Sequence, residues 1–307
     1  MSEKNTRSLI WLITSMTVFG TVGIFSKYIP LPSGVIAFAR AFIGTLFLAV
    51  FLLVRKRKPD CKKIKKNLKY LIPSGIALGA NWILFFLACK TTTVPTATLS
   101  YYLAPTILVI LSVFIFKEKL SLKQIISVSV ALFGMVLASG VIGDAEGVSI
   151  IGIICGICAA LLYAVVVIFN KLMRDIDPVD KTLVQFVISS VALLPYILLA
   201  ENAIALELEV SYIVYALIIG IIHTGAAYVL YFGSVAKLKS STVAIYSYID
   251  PIISILVSTV FFEEPISLLA IVGAALILGA SFFSEVDVKT LFQKAKSLKN
   301  DNNSSQN

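Results

Sequence analysis

The sequence predicts an all-α integral membrane protein, ten transmembrane helices arranged as two inverted five-helix repeats. Three observations carry that prediction. The 307 residues are 58% hydrophobic and only 14% charged, with a mean hydropathy of +0.94, whereas soluble domains run near 45–50% apolar and 25% charged. The apolar residues fall into ten charge-poor stretches, each close to the roughly 20 residues a helix needs to cross hydrocarbon. The second half of the chain also repeats the first at a nearly fixed offset. With so much of the chain in the bilayer, no room remains for a soluble catalytic domain.

The first stretch, Leu9–Ser26, follows Lys4 and Arg7 as a signal peptide would, but it is 18 residues long and ends without a small-residue cleavage site, so it is expected to stay as a helix. Ser33–Val54 carries a single charge, Arg40. Tyr70–Cys89 follows the basic run Arg55–Lys69, and Val94–Phe116 contains Pro105. Gln124–Ile142 closes the first half. Gly147–Asn170 opens the second half with a stripe of small residues, Gly152, Gly156, Ala160 and Ala164, which lets a neighbouring helix approach closely. Thr182–Ala200, Val210–Ala236, Ser240–Phe262 and Pro265–Ser284 complete the set, the eighth holding the single histidine and the ninth a lone acid, Asp250. The polar tail 285–307 is expected to be disordered.

Charge sets the orientation. With the N-terminus inside, 23 of the 26 basic residues fall on the inner connections and tail; Lys27 and Lys90 fall outside and Arg40 within a span, while the outer loops carry Asp144, Glu146, Glu201, Glu207, Glu209, Glu263 and Glu264. Both termini are therefore expected on the cytoplasmic side. The net charge of +9 is thus a topology signal and not a nucleic-acid footprint. The run Arg55–Lys66 would also attract anionic lipid head groups.

A shift of 146 residues superimposes Gly79-Ala80 on Gly225-Ala226, Phe86 on Phe232, Thr96 on Thr242, Tyr102 on Tyr248, Pro105 on Pro251, Ser112 on Ser258, and Glu118 on Glu264. Near the start of each half, a shift of 144 pairs Ile24-Phe25-Ser26-Lys27 with Ile168-Phe169-Asn170-Lys171. Each copy holds five helices, an odd number, so the two cross the membrane in opposite directions. The domains are then a short N-terminus (1–8), a first repeat (9–142), a second repeat (147–284) and the tail. Inverted repeats place a site at the midplane and let the halves exchange access to it, which is the physics of a secondary transporter.

The duplicated proline followed thirteen residues later by glutamate (Pro105 to Glu118, Pro251 to Glu264) and the string Phe38-Ala39-Arg40-Ala41-Phe42 resemble the EamA-like family of the drug/metabolite transporter superfamily, over nearly the whole chain. That resemblance implies a carrier of small metabolites in the cytoplasmic membrane, often an exporter, with a central cavity between the halves; no cofactor is expected. The expected substrate is a small polar or amphipathic metabolite such as an amino acid or amine, moved by alternating access with proton or ion coupling. Import of an organic cation such as a quaternary amine is the alternative.

Asp250 is the first candidate in the site. A charge at the centre of a span costs about 2.5–3.5 kcal/mol on insertion scales, and a helical rise of about 1.5 Å per residue puts it roughly 16 Å in from Lys239. Its twin is Ala104, so the scaffold does not require it. Arg40, about 12 Å in from the other surface by the same rise, is either its ion-pair partner or a separate anchor. His223 is suited to proton transfer by its unperturbed pKa, or to packing beside Thr224. Trp82, Tyr101, Tyr102, Tyr163, Tyr228, Tyr231, Tyr246 and Tyr248 are candidates to line the cavity, where ring faces and one carboxylate suit a cation and Arg40 suits a carboxylate. Pro105 and Pro251 interrupt two helices at matched positions and read as hinges.

Other chemistries find little support. Cys155 and Cys158 form a CxxC without the surrounding unit a redox motif needs, and one histidine is too few for a metal. The string Asp175-Ile176-Asp177-Pro178-Val179-Asp180 could hold Mg2+ in a membrane enzyme, but no second acidic cluster accompanies it, and an enzyme is not expected.

Overall fold

A computed structural model of the chain describes residues 3–117, 121–138, 147–203, 206, 209–235, 237–238, 240–263 and 266–285. The paired glutamates Glu118 and Glu264, the acids Asp144, Glu146 and Glu207, and the tail beyond 285 lie outside the described residues. Among the described residues every regular element is helical, as hydrocarbon demands of a backbone that must satisfy its own polar groups.

The elements are α1 (Glu3–Tyr28), α2 (Ser33–Val54), α3 (Cys61–Thr91), α4 (Val94–Tyr101), α5 (Ala104–Phe116), α6 (Leu122–Ala138), α7 (Ile150–Leu172), α8 (Pro178–Leu199), α9 (Val210–Leu217), a π-helical stretch (Ile218–Ala226), α10 (Ala227–Val235), α11 (Ser240–Ser247), α12 (Ile249–Phe262) and α13 (Leu268–Glu285). With α4–α5 and α9–α10 each counted as one crossing, seven segments are long and apolar enough to span, and three shorter apolar helices, Leu122–Ala138, Ile249–Phe261 and Leu268–Ala280, complete ten.

The two repeats show the same local devices. Each has a broken helix: α4 stops at Tyr101 and α5 starts at Ala104, while α11 stops at Ser247 and α12 starts at Ile249. Pro105 and Pro251 lack the N–H that would bond the carbonyls of Tyr101 and Ser247, four residues back. Each long half then ends on a left-handed residue at the same register, Lys117 (φ 54°) and Glu263 (φ 53°). The copies differ in their third helix: α3 is continuous, whereas its counterpart widens into the π-helical stretch. There Ile43 and Phe47 of α2 press on Gly220 and Gly225, where an added Cβ would lie 2.4 and 2.3 Å from their side chains.

α3 begins nine residues before the apolar stretch read from the sequence. Asp60 caps it, accepting from the backbone N–H groups of Lys62 and Lys63 at 3.1 Å, and the lysine-rich turns that follow are good helix formers.

The repeats interlock rather than abut. α3 packs on α7 and α8, α2 on α8 and the π-helical stretch, α1 on α10 and α12, and α6 on α13. Small residues set the closest approaches, since packing rather than water exclusion joins helices in lipid. An added Cβ at Gly156 of α7 would stand 2.6 Å from Ser100, and at Gly152 2.6 Å from Thr92. The glycine–alanine stripe of α7 is thus the surface that seats α3 and α4. Ser189 of α8 donates to the Gly75 carbonyl at 2.6 Å, and Gln185 donates to Ser74 and, at 2.9 Å, to Asn170.

α2 is fastened to the second repeat at both ends. At its start no residue of its own caps the helix; the Glu201 carboxylate, from the loop after α8, accepts from Gly34 N–H at 2.9 Å and Val35 N–H at 2.8 Å. Just past its other end, Arg57 donates to the buried Asp180 at 2.7 Å and pairs with Asp177 at 3.1 Å, while the Asp60 N–H reaches the second oxygen of Asp180 at 3.1 Å. Two of the three carboxylates of the Asp175–Asp180 string are therefore engaged with an arginine, and Asp175 lies 4.0 Å from Lys66. Among the described residues no cluster of His, Cys, Asp and Glu suits a metal ion. The face carrying Arg57 and Asp180 is called the basic face below, and the face carrying Glu201 the acidic face.

Candidate functional site

α1, α2, α3, α4, α5, α7, α10, α11 and α12 enclose a cavity of about 320 Å³. It lies at mid-depth because the residues it takes from each helix sit near the middle of each crossing, such as Phe19 of α1, Asn81 of α3, Tyr163 of α7 and Asp250 of α12. Both repeats contribute, and the two helix breaks border it through Tyr101, Tyr102 and Pro105 on one side and Ser247 and Tyr248 on the other.

Close helix contacts fix its walls. α1 passes α12 at Gly20, where an added Cβ would meet the Asp250 carbonyl oxygen at 2.5 Å. α4 is tied to α12 by a hydrogen bond of 2.9 Å between the hydroxyls of Thr98 and Ser254, both of which line the cavity. Asp250 is thereby held by backbone contact on one side and by a side-chain tie one turn further along α12. Its carboxyl interacts with Tyr102.

The facing wall comes from α2 and α3. Arg40 is 5% exposed, and its guanidinium carbon stands 4.4 Å from the centroid of the Trp82 ring and 5.8 Å from that of Phe86. Its Nε has no hydrogen-bond partner. Arg40 and Asp250 share the cavity without being within ion-pair distance of each other, so the two charges do not neutralise each other by contact. Asn81, 1% exposed, donates through Nδ2 to the Ala159 carbonyl of α7 at 2.6 Å, while its Oδ1 has no partner.

Aromatic rings make up much of the remaining lining. The Tyr101 ring lies tilted against Phe85, 4.9 Å between centroids, and against Tyr163 at 5.7 Å. Trp82 meets Phe186 at 5.4 Å, Phe186 meets Tyr228 at 5.3 Å, and Phe19 meets Tyr228 at 5.2 Å, each edge to face. The cavity has largely apolar, aromatic walls that include one cation and one carboxyl, so it can seat a ligand that carries the complementary charges.

Of the residues singled out in the sequence, Arg40, Trp82, Tyr101, Tyr102, Pro105, Tyr163, Tyr228, Tyr231, Tyr248 and Asp250 line this cavity. His223, Tyr246 and Pro251 do not. His223 lies in the π-helical stretch, 3% exposed, with Nε2 2.9 Å from the Thr21 hydroxyl and its ring 4.8 Å from Phe25; it ties α10's segment to α1. Tyr246 is on α11 and Pro251 is buried in the first turn of α12. Sequence reasoning missed Asn81, Thr98, Ser247 and Ser254. The available signal was a carboxamide in the middle of an apolar span, next to a tryptophan already singled out.

Comparison with known proteins follows the same division into halves. The sequence model of the EamA-like transporter family matches residues 6–140 and again 150–285. The uncharacterized transporter YxxF of Bacillus subtilis (strain 168) is 30% identical over 262 residues, covering 85% of this chain and 83% of that protein. An uncharacterized transporter of Archaeoglobus fulgidus is 27% identical over 268 residues, covering 87% and 92%. A crystal structure superposes with a TM-score of 0.63 at 18% identity, covering 90% of this chain and 96% of the other, which is a likeness of fold.

Proposed function

The chain belongs to the EamA-like transporter family, a multi-pass membrane transporter and not an enzyme, and on that premise we propose that it moves a small metabolite bearing both a carboxylate and an amino group, an amino acid or a close relative, through the central cavity by alternating access. The observation that carries this reading is that Arg40 and Asp250, a cation and a carboxyl, line one mid-depth cavity without an ion pair between them. A buried guanidinium with an unused N–H attracts a carboxylate. The carboxyl across the cavity attracts an ammonium group, and in its absence a proton, which gives coupling to a proton gradient a physical basis.

Matched helix breaks support the alternating-access part. Tyr101 and Ser247, whose carbonyls Pro105 and Pro251 leave without a helical donor, line the cavity, and breaks of this kind are tolerated in hydrocarbon only where protein or a cavity satisfies them. The membrane is proposed to be the cytoplasmic one, with the basic face inside, because Arg55, Lys56, Arg57 and Lys58 all lie on it while Glu201, Glu209 and Glu263 lie on the other.

A second reading, transport of a quaternary organic cation, draws support from the tyrosines around Asp250. Arg40 opposes it, since a permanent cation in the same cavity repels another. The test is a panel of amino acids, the amines made from them by decarboxylation, and quaternary amines, screened by ligand-induced thermal shift on purified protein. Stabilisation by amino acids that Arg40→Gln abolishes is expected. Stabilisation by quaternary amines alone would replace this reading with the second.

A further inference from the structure

The offset of 146 residues that relates the repeats also relates their broken helices. Added to the bounds of α4 it gives 240–247, the bounds of α11, and added to those of α5 it gives 250–262, all within α12. α4 follows α3, which begins on the basic face, and α12 ends beside Glu263 on the acidic face. α4 and α12 therefore form the acidic halves of their two crossings, and α5 and α11 the basic halves. The contacts α4–α12 and α5–α11 are counterparts, and a symmetric arrangement would make both or neither.

One of the two is made. α4 packs on α12, and among the described residues no comparable packing joins α5 to α11. The contact is a seal about one turn to the acidic side of both breaks, since Thr98 lies three residues before Tyr101 and Ser254 four residues after Asp250. Their hydroxyls are 2.9 Å apart, and each residue is 2% exposed. The seal is thin: toward the acidic face a separate cavity of about 110 Å³ lies between Leu99 of α4, Ile255 of α12 and Ala274 of α13, so little packing backs the hydrogen bond. By the same offset the counterpart of Thr98 is Ala244 and that of Ser254 is Leu108. Neither carries a side-chain hydrogen-bonding group, so closure on the basic side cannot be held in the same way.

We infer that the hydrogen bond between Thr98 and Ser254 is the latch of an acidic-side gate, present in one end state and without an equivalent in the other, and that it biases the empty carrier toward the state closed to the acidic face and open to the basic one. This rests on the alternating-access part of the proposed function and adds which way the unliganded cavity faces and what holds it there. A contact made in one state alone shifts the equilibrium by its own free energy. Side-chain hydrogen bonds between helices in a membrane are modest, so this one tilts the balance about threefold and leaves the gate able to open.

The test reads the cavity from each side. Ser247 lines it at the end of α11, on the basic side of Asp250. Ser247→Cys is treated with a small membrane-impermeant methanethiosulfonate in right-side-out and inside-out membrane vesicles, and rates are taken above those of the chain without that cysteine. The exposed Cys61 reports which vesicles present the basic face. No substrate is added, so the outcome does not depend on which molecule is carried. Reaction is expected to be several-fold faster from the basic face. Thr98→Val, which removes the hydroxyl at nearly constant size, is expected to lower the basic-to-acidic ratio about threefold, Ser254→Ala likewise, and the two together no further than either alone, because they remove one bond. Thr98→Ser, which keeps a hydroxyl, is expected to retain the parent ratio. Equal rates from the two faces, or a faster rate from the acidic face, in the parent overturns the inference, and that comparison stands even if the other variants do not fold. An unchanged ratio in a folded Thr98→Val overturns the latch. Reaction from one face alone in every variant overturns alternating access and this inference with it, which is distinct from reaction from both faces without the expected bias.

Discussion

The guanidinium of Arg40 stands 4.4 Å above the Trp82 ring and makes no ion pair with Asp250, the one acid among the described residues that line the same cavity. Cation–π attraction is worth about 2 kcal/mol when desolvated, well short of what a buried charge loses on leaving water. The remainder comes from longer-range attraction to Asp250 and from whatever water or anion enters the cavity. An arginine held by a ring keeps its fork free for a visiting carboxylate, which a salt-bridged arginine would not.

This geometry decides between two accounts of Asp250. Were the pair structural, removing the carboxyl would strand Arg40 and destabilise the fold, and the double variant Arg40→Gln/Asp250→Asn would recover both stability and transport. As the two do not touch, Asp250→Asn is expected to keep a wild-type folded yield and lose at least about tenfold in concentrative uptake, consistent with relief of a buried charge. The double variant is expected to stay inactive. Folded yield and uptake in the three variants check this, and a fully active double variant would contradict it.

Gly20 gives a prediction about position rather than charge. Its missing Cβ allows the Asp250 carbonyl oxygen to sit where a methyl would be 2.5 Å away, with Ile253 at 2.9 Å. Both neighbours belong to the α12 helix, not to a flexible side-chain end, so the helix itself must move. Gly20→Ala is expected to cost about 1–3 kcal/mol of stability by overpacking and to lower transport several-fold by shifting Asp250. A variant with unchanged thermal midpoint and uptake would show that α1 and α12 do not meet here.

Much of this was legible in the sequence, and the failures have physical causes. The ten crossings were readable because hydrocarbon permits few backbone solutions, and the breaks of α4–α5 and α11–α12 because Pro105 and Pro251 cannot complete a helical ladder. The early start of α3 was missed since a lysine-rich stretch reads as a loop until Asp60 is seen to cap it. The π-helical turn was not readable at all: it arises where Ile43 and Phe47 of another helix press on Gly220 and Gly225. Composition could rank Arg40 and Asp250 as important but could not say whether they touch. Asn81 escaped notice because the hydrogen bond it makes is to Ala159, 78 residues away in the chain.

Glu201 supplies across the repeats what α2 lacks within itself. Its two oxygens serve the N–H groups of Gly34 and Val35 at 2.9 and 2.8 Å, a negative charge at the positive end of a helix dipole. Glu201→Ala is expected to cost about 1–2 kcal/mol, the usual scale for a lost N-cap, and to lower the thermal midpoint by a few degrees. Glu201→Gln, which keeps one acceptor oxygen, should lose less. A larger effect of the glutamine than of the alanine variant would contradict the capping role.

The orientation of the chain can be tested with a cysteine it already has. Cys61 is an exposed free thiol at the start of α3, on the basic face; Cys89 is buried, and Cys155 and Cys158 are half-buried on α7. Basic loops remain on the cytoplasmic side during insertion, so with the four basic residues Arg55–Lys58 Cys61 is expected inside. A membrane-impermeant maleimide is therefore expected to leave the wild-type protein unlabelled in intact cells and to label it once the membrane is permeabilised. Asn202→Cys, beside Glu201 on the acidic face, should label in intact cells. The two sites lie at opposite ends of the same inter-repeat fastening of α2, so their accessibilities must be opposite if α2 crosses the bilayer. Labelling of Cys61 from outside with Asn202→Cys protected would invert the orientation, and labelling of both from outside in sealed cells would mean that α2 does not span.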